Sequence, residues 1–193
     1  MNSETFKDKS IAIIGNGGSL CDSNSGEEID SYDIVIRFNN FNTSGSYQKD
    51  VGSKTSYWCN TFCADIKPRE DELSILCPLP VNAPNWRKIY SSTSVEMIRR
   101  YIDKTSFIPE KIFQGLWDQM PINKSRHRKD PSTGLCMIYW LRALKYNITI
   151  NDIFGFDFFS KDTSHHYFDR APSPSVDHDG DMERTIIKNI TIN

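Results

Sequence analysis

The feature that most constrains this chain is a continuous apolar run close to its start. Residues 11–14 are Ile-Ala-Ile-Ile, and a glycine-rich turn of sequence Gly-Asn-Gly-Gly-Ser follows at residues 15–19. An unbroken apolar run closed by glycine is typical of a strand that is buried on both faces of a parallel sheet. We therefore predict a buried strand over residues 10–14, with the glycine turn at its carboxyl end.

Strand-like and helix-like patterns alternate over the rest of the chain. Strands are also predicted over residues 33–39, 54–60, 73–76 and 148–154, and helices over residues 25–32, 94–104, 135–145 and 180–192. This alternation favours a mainly parallel central sheet flanked by crossover helices. The length of 193 residues suits one domain. The predicted fold class is therefore α/β, as a single Rossmann-type domain over residues 1–193.

Composition excludes several classes of protein. The charges sum to -2, which argues against nucleic-acid binding through bulk charge. No run approaches the roughly 18 apolar residues of a membrane span, and the N-terminus lacks the apolar core of a signal peptide. The five cysteines are scattered and form no CxxC pair, which favours reduced thiols in a cytosolic protein. We thus expect a cytoplasmic chain that is soluble or bound to a membrane surface.

Ligands of parallel sheets bind beyond the carboxyl ends of the strands. Residues 15–19, 37–40, 60–62 and 155–157 are therefore expected around one crevice. Glycines in the first turn would let the backbone approach a phosphate, whose oxygens its N–H groups could cradle. Leu20 stands at the third glycine position of the GxGxxG pattern, which disfavours a dinucleotide site. A tight turn without a ligand is an equally good interpretation.

Further polar groups could bind an anion at this crevice. The Asn16 amide could donate to a phosphate oxygen, and Arg37 and Asn39 stand at the end of the second predicted strand. Charged groups at strand ends are usually only solvated. Residues 132–134 open the most apolar helix with Ser-Thr-Gly, where a hydroxyl is an ordinary cap and a ligand could bind at the same positive end. Both roles are compatible because several N–H groups there need partners.

The histidines all lie in the second half of the chain. His165, His166 and His178 fall within 14 positions, beside several acidic residues. This density favours acid–base chemistry. A metal site is the rival interpretation, because residues 177–183 resemble a calcium loop. The glycine of this stretch, however, comes two positions too early for such a loop. His127 falls in the basic stretch of residues 124–129. This stretch is either a solvated loop or a surface that guides an anionic donor or contacts a membrane.

Taken together, these segments resemble the sialyltransferase family (glycosyltransferase family 29), whose four motifs occur here in order. The large motif corresponds to residues 11–55 and the small motif to residues 131–156. The third motif corresponds to residues 166–169, His-Tyr-Phe-Asp, and the very small motif to His178 and Glu183. The stretch between the first two motifs is not recognisable.

The resemblance implies a GT-A-like fold and an inverting transfer of sialic acid from CMP-sialic acid to a glycan or glycolipid. It implies no metal ion and no cofactor beyond the CMP-sugar donor. His178 would be the general base, and His166 would bind the departing phosphate. Phosphate and nucleotide contacts would come from Asn16, Gly17, Ser19, Asn39, Ser132, Thr133 and Gly134, and supporting contacts from Glu183 and Tyr167.

Departures from the family pattern leave alternatives open. Secretory members have a disulfide between the large and small motifs, and the corresponding positions here are Ile11 and Lys145. The joint loss of both cysteines is expected for a domain that folds in a reducing compartment, without a membrane anchor or stem. The alternative functions are transfer of Kdo or another nonulosonate from its CMP form, and a catalytically inactive nucleotide-binding module.

Overall fold

The structure is a computed structural model that describes residues 1–62, 66–69, 73–80, 92–122, 129–169 and 178–191. Its centre is a six-stranded sheet in which every described strand pair is parallel. In chain order the strands are β1 (Ile11–Ile14), β2 (Ile34–Phe38), β3 (Tyr57–Cys59), β4 (Ser74–Cys77), β5 (Thr105–Phe107) and β6 (Ile153–Phe154). Their order across the sheet is β5-β4-β3-β2-β1-β6. The predicted α/β fold class with a mainly parallel sheet is confirmed.

The first strand lies inside the sheet, between β2 and β6, which explains its unbroken apolar sequence. Ile11 and Ile13 belong to one hydrophobic cluster, and Ala12 and Ile14 belong to another on the opposite face. These four residues are at most 4% exposed. Both faces of β1 are therefore covered, as expected for a strand of a parallel sheet.

Helices cover the two faces of the sheet. The α-helices in the described part of the chain are α1 (Gly26–Ser31), α2 (Gln48–Val51), α3 (Ser92–Tyr101), α4 (Glu110–Trp117), α5 (Thr133–Ala143) and α6 (Gly180–Ile190). Ile29 of α1 and Val51 of α2 pack in the cluster of Ala12 and Ile14. The helices α4, α5 and α6 pack side by side against the other cluster. As its apolar sequence predicts, α5 is buried along most of its length.

The strand predicted over residues 148–154 is wrong in its first part. Ile150–Asp152 forms a 3₁₀ turn, and only the short β6 follows. The Asp152 carboxylate accepts hydrogen bonds from the N–H and the hydroxyl group of Thr149, at 2.7 and 2.8 Å. This local capping box competes with the extended conformation that the apolar, β-branched pattern favours.

Two further findings bear on the predictions. Residues 124–128, which include His127, lie outside the described part of the chain. The interpretation of the basic stretch therefore stays a prediction. Among the described residues, none of the helices has both the length and the apolar character needed to cross a membrane. The single-domain boundary and the cytoplasmic location also stay predictions.

Candidate active site

A cleft opens at the carboxyl end of β1, flanked by the ends of β2 and β6. The N-terminus of α5 and the segment that follows β6 contribute to its walls. The cleft is open to solvent, and the space within it, counted together with that open region, is about 790 Å³. Nine of the eleven predicted site residues line it: Asn16, Gly17, Asn39, Ser132, Thr133, Gly134, His166, His178 and Glu183.

The backbone N–H groups of the glycine turn are largely occupied by the protein itself. The N–H groups of Gly15, Gly17 and Gly18 donate to the carbonyl oxygens of Phe154, Gly155 and Ser164 at 2.7, 2.9 and 2.9 Å, and that of Ser19 donates to the Asp157 carboxylate at 2.9 Å. These four donors are therefore not available for the phosphate cradle that the turn predicts. The turn instead joins the end of β1 to the segment after β6.

Two glycines of the cleft make room for side chains of that segment. A Cβ atom on Gly17 would lie 2.5 Å from the Asp157 carboxyl carbon, and one on Gly134 would lie 2.4 Å from the Phe156 ring. Ser19 also donates its hydroxyl to Asp157. Ser19 itself does not line the cleft, whereas Asp157 does. The turn thus holds a carboxylate of the protein at the place where a phosphate was expected.

The two predicted phosphate-binding asparagines are held by the ends of the strands. Asn16 Nδ2 donates to the carbonyl oxygens of Phe38 and Asn40, at 3.2 and 2.9 Å. Both amide hydrogens are used in this arrangement, which leaves none for the predicted phosphate contact. Asn39 has a left-handed backbone, with φ at 46°, and its carbonyl oxygen accepts from Trp58 Nε1 at 2.8 Å. Within the described residues, Asn39 Oδ1 is buried without a hydrogen-bond partner.

Ser132 joins the N-terminus of α5 to Glu183 of α6. Its hydroxyl oxygen accepts from the Leu135 N–H at 3.2 Å, which confirms the predicted helix cap. Its N–H and hydroxyl donate to the two carboxylate oxygens of Glu183, at 2.8 and 2.5 Å. Thr133 and Gly134, in the first turn of the helix, line the cleft. The positive end of α5 therefore faces the space where a ligand would bind.

The Glu183 carboxyl group is buried in an environment that disfavours its charged form. The residue is 2% exposed, and burial raises its pKa from 4.5 to about 7. The hydrogen bonds from Ser132 act in the opposite direction, and the nearby Asp179 carboxylate adds to the rise. Glu183 therefore changes charge near neutral pH, beside the cleft.

His178 is placed just before α6, with its ring at the cleft. Its Nδ1 lies 2.8 Å from the backbone carbonyl oxygen of Asp130. Because a carbonyl oxygen can only accept, Nδ1 carries the proton, and the lone pair of the neutral ring is on Nε2. The same Nδ1 lies 4.0 Å from Glu183 Oε1. The Phe159 ring stacks against the imidazole, with centroids 4.8 Å apart.

His166 and His165 lie next to each other on another wall of the cleft. His166 Nδ1 is 2.9 Å from Asp169 Oδ2, and the His166 ring stacks on Phe168 with centroids 5.0 Å apart. The two histidine rings have centroids 4.2 Å apart. Burial, together with the charge of His166, lowers the pKa of His165 to about 4. His165 is therefore neutral at pH 7.

Structural positions are occupied by Tyr167, for which the resemblance implies a supporting role, and by Arg37 and residues 60–62, which were expected at the crevice. Tyr167 is 4% exposed and outside the cleft, where its hydroxyl donates to the Asn42 carbonyl at 2.6 Å and its N–H donates to the Asn16 carbonyl at 2.8 Å. Arg37 is buried and donates to two backbone carbonyl groups, and burial lowers its pKa to about 10. Residues 60–62 are buried and do not line the cleft.

The sequence interpretation missed part of the wall that follows β6. Phe158, Phe159, Thr163 and Ser164 line the cleft, although no motif marks them. The available signal was their position directly after a predicted strand, where ligand sites of parallel sheets lie. In the described part of the chain, no three His, Cys, Asp or Glu side chains form a group that could hold a metal ion.

These features define an α/β protein with a ligand cleft at the carboxyl ends of a parallel sheet, lined by imidazoles and a helix N-terminus. The sequence model of Glycosyltransferase family 29 (sialyltransferase) matches residues 3–68 and 77–193. The chain therefore belongs to the sialyltransferase family, glycosyltransferase family 29.

Individual relatives agree with this assignment. The chain is 29% identical to the CMP-N-acetylneuraminate-beta-galactosamide-alpha-2,3-sialyltransferase 1 of Sus scrofa, over 91% of this chain and 53% of the relative. It is 30% identical to the protein of the same name from Gallus gallus, over 93% of this chain and 54% of the relative. The chain thus spans about half the length of the curated relatives it matches.

A solved structure shares the fold. The crystal structure of a mammalian sialyltransferase in complex with Gal-beta-1-3GalNAc-ortho-nitrophenol matches with a TM-score of 0.65 and 24% sequence identity. The match covers 94% of this chain and 66% of that chain. The two proteins therefore share the same α/β architecture over nearly all of this chain.

Proposed function

We propose that this chain transfers sialic acid from CMP-sialic acid to a hydroxyl group of a glycan. The observation that carries the proposal is the meeting of residues from all four motifs in one cleft, from Asn16 of the large motif to Glu183 of the very small motif. The names of the relatives combine CMP-N-acetylneuraminate with sialyltransferase activity, which supports this choice of donor.

His178 is the proposed general base. Because Nδ1 donates to the Asp130 carbonyl, Nε2 is the ring nitrogen that would take the proton of the attacking hydroxyl. Glu183 lies 4.0 Å from the same ring, so its carboxylate form stabilises the imidazolium that the proton transfer creates. A single displacement by this hydroxyl, on the side opposite the phosphate, inverts the anomeric carbon.

The leaving CMP gains negative charge as the sugar departs. The first turn of α5, with Thr133 and Gly134 at the cleft, directs its N–H groups and helix dipole at this charge. His166, oriented by Asp169 at 2.9 Å, would donate a ring N–H to the departing phosphate. A monophosphate leaving group needs fewer positive charges than a diphosphate, which supports our proposal of transfer without a metal ion.

The experiment combines transfer and binding measurements. The purified chain is incubated with CMP-sialic acid and a galactoside, and the sialylated product is measured by mass spectrometry. His178→Ala should lower the transfer rate by about 10²–10⁴-fold, the usual contribution of a general base. Its dissociation constant for CMP should change by less than about twofold, because the imidazole acts on the acceptor proton.

The alternatives give different results. Full transfer activity of His178→Ala would remove this histidine from the mechanism. Product formed only from CMP-Kdo, in a parallel reaction, would identify a different donor. Tight CMP binding with neither transfer nor hydrolysis of either donor would indicate a nucleotide-binding module without catalysis.

A further inference from the structure

Two consecutive phenylalanines after β6 have an uncommon backbone conformation. Phe158 and Phe159 are both left-handed, with φ at 52° and 57°. For side chains of this size, the left-handed region is sterically unfavourable and is kept only where surrounding contacts impose it. Both residues line the cleft. The conformation therefore needs an explanation in terms of what the two side chains contact.

Phe158 anchors this segment to the start of α6. Its carbonyl oxygen packs against Gly180. A Cβ atom on residue 180 would lie only 1.9 Å from this oxygen. Its ring lies under the guanidinium group of Arg184, at 5.0 Å from the centroid. These contacts hold the backbone of the pair against the helix that His178 immediately precedes.

With the backbone held in this way, the Phe159 ring stacks on the His178 imidazole. The two ring centroids are 4.8 Å apart, and the planes are inclined by only 20°. The Phe159 ring is also stacked with His165, with centroids 5.9 Å apart. A hydrogen bond from Nδ1 to the Asp130 carbonyl limits where one edge of the His178 ring lies. The stacked ring adds a second constraint, on the plane of the imidazole.

We propose that Phe159 is a positioning residue for His178, which it holds in the orientation that points Nε2 at the acceptor hydroxyl. This inference rests on the proposed function, in which His178 is the general base. An aromatic ring suits the task for two reasons. Its flat face fixes the plane of the imidazole, and its negative face attracts the imidazolium formed during proton transfer.

The kinetic test compares two substitutions at position 159. Phe159→Leu keeps an apolar side chain but loses the flat ring, and kcat should fall by about 10-fold or more because the base is misplaced. Phe159→Tyr keeps the ring, and kcat should stay within about threefold of the wild-type value. The dissociation constant for CMP should change by less than about twofold in both variants.

A spectroscopic test reports the stacking without depending on activity. Protons on the His178 ring lie over the face of Phe159, so the ring current shifts their NMR signals upfield. Phe159→Leu should move these signals downfield, and Phe159→Tyr should not. Phe107→Leu is the control for the loss of a phenylalanine ring, since Phe107 lies in β5 and does not line the cleft, and it should leave the His178 signals in place. Phe159→Gly removes the ring at a position whose φ glycine adopts readily, in case the leucine variant does not fold.

The outcomes separate this inference from the proposed function. If His178→Ala is inactive but Phe159→Leu retains the wild-type kcat, Phe159 does not position the base. If Phe159→Leu weakens CMP binding and leaves kcat unchanged, Phe159 is a wall of the donor site and the inference is wrong. If His178→Ala remains active, the base assignment fails. Unmoved His178 signals in Phe159→Leu would overturn the stacking itself.

Discussion

Replacing Glu183 by glutamine should remove a defined part of the pH dependence of stability. The wild-type carboxyl group is 2% exposed and has a pKa raised to about 7 by burial, against 4.5 for an ordinary glutamate. Below pH 4.5 the group is protonated in both the folded and the unfolded chain. As the pH rises towards 7, the unfolded chain loses this proton first, so the folded state loses stability relative to it.

The size of the effect follows from the difference between the two pKa values. A rise from 4.5 to about 7, at about 1.4 kcal/mol per pKa unit, corresponds to about 3 kcal/mol. This amount of stability is fully present below pH 4.5 and is lost once the pH has risen through 7. Glutamine keeps the shape and an oxygen that accepts from the Ser132 N–H, but it does not titrate.

Urea unfolding, followed by tryptophan fluorescence at several pH values, measures this difference. The free energy of unfolding of the wild type minus that of Glu183→Gln should decrease by about 3 kcal/mol from pH 4.5 to above pH 7. Parallel curves for wild type and Glu183→Gln would refute the raised pKa of the buried carboxyl group.

Two substitutions at the start of α5 should lower stability for different reasons. Ser132→Ala removes the hydroxyl that caps Leu135 and donates to Glu183, and urea unfolding should show a loss of about 2 kcal/mol. An unchanged free energy of unfolding would contradict the role of this cap. Gly134→Ala would place a methyl group 2.4 Å from the Phe156 ring, and thermal unfolding should show a loss of about 1–3 kcal/mol. A wild-type melting temperature would mean that the ring moves aside at no cost.

The parts of the fold that the sequence predicts best are those set by buried apolar patterns. The run at residues 11–14 identifies β1, because its short length and the glycine turn that follows it are typical of a strand covered on both faces. The helix α4 was missed, although Phe113 and Leu116 recur at helical spacing and are buried. Residues 150–152 were misjudged because a carboxylate of the turn bonds to the backbone within the same segment.

For the site, the motifs identify most residues of the cleft but not what each one contacts. The glycine turn suggests a phosphate cradle, yet its donors meet residues that follow β6 in the structure. Asn16 lies in the cleft as predicted, but its amide donates to carbonyl oxygens at the end of β2 and beyond it. Contacts of this kind depend on segments far apart in the chain, so local patterns cannot predict them. The role of Phe159 depends likewise on a stacking partner, His178, in another segment.

The bonds between the glycine turn and the segment after β6 also affect how the cleft can form. Ser19 and Asp157, which bond to each other, are 138 positions apart in sequence. Closing so long a loop costs chain entropy before any contact offsets it, so such contacts form together with the central sheet rather than ahead of it. The cleft is therefore complete only once segments from both halves of the chain have come together.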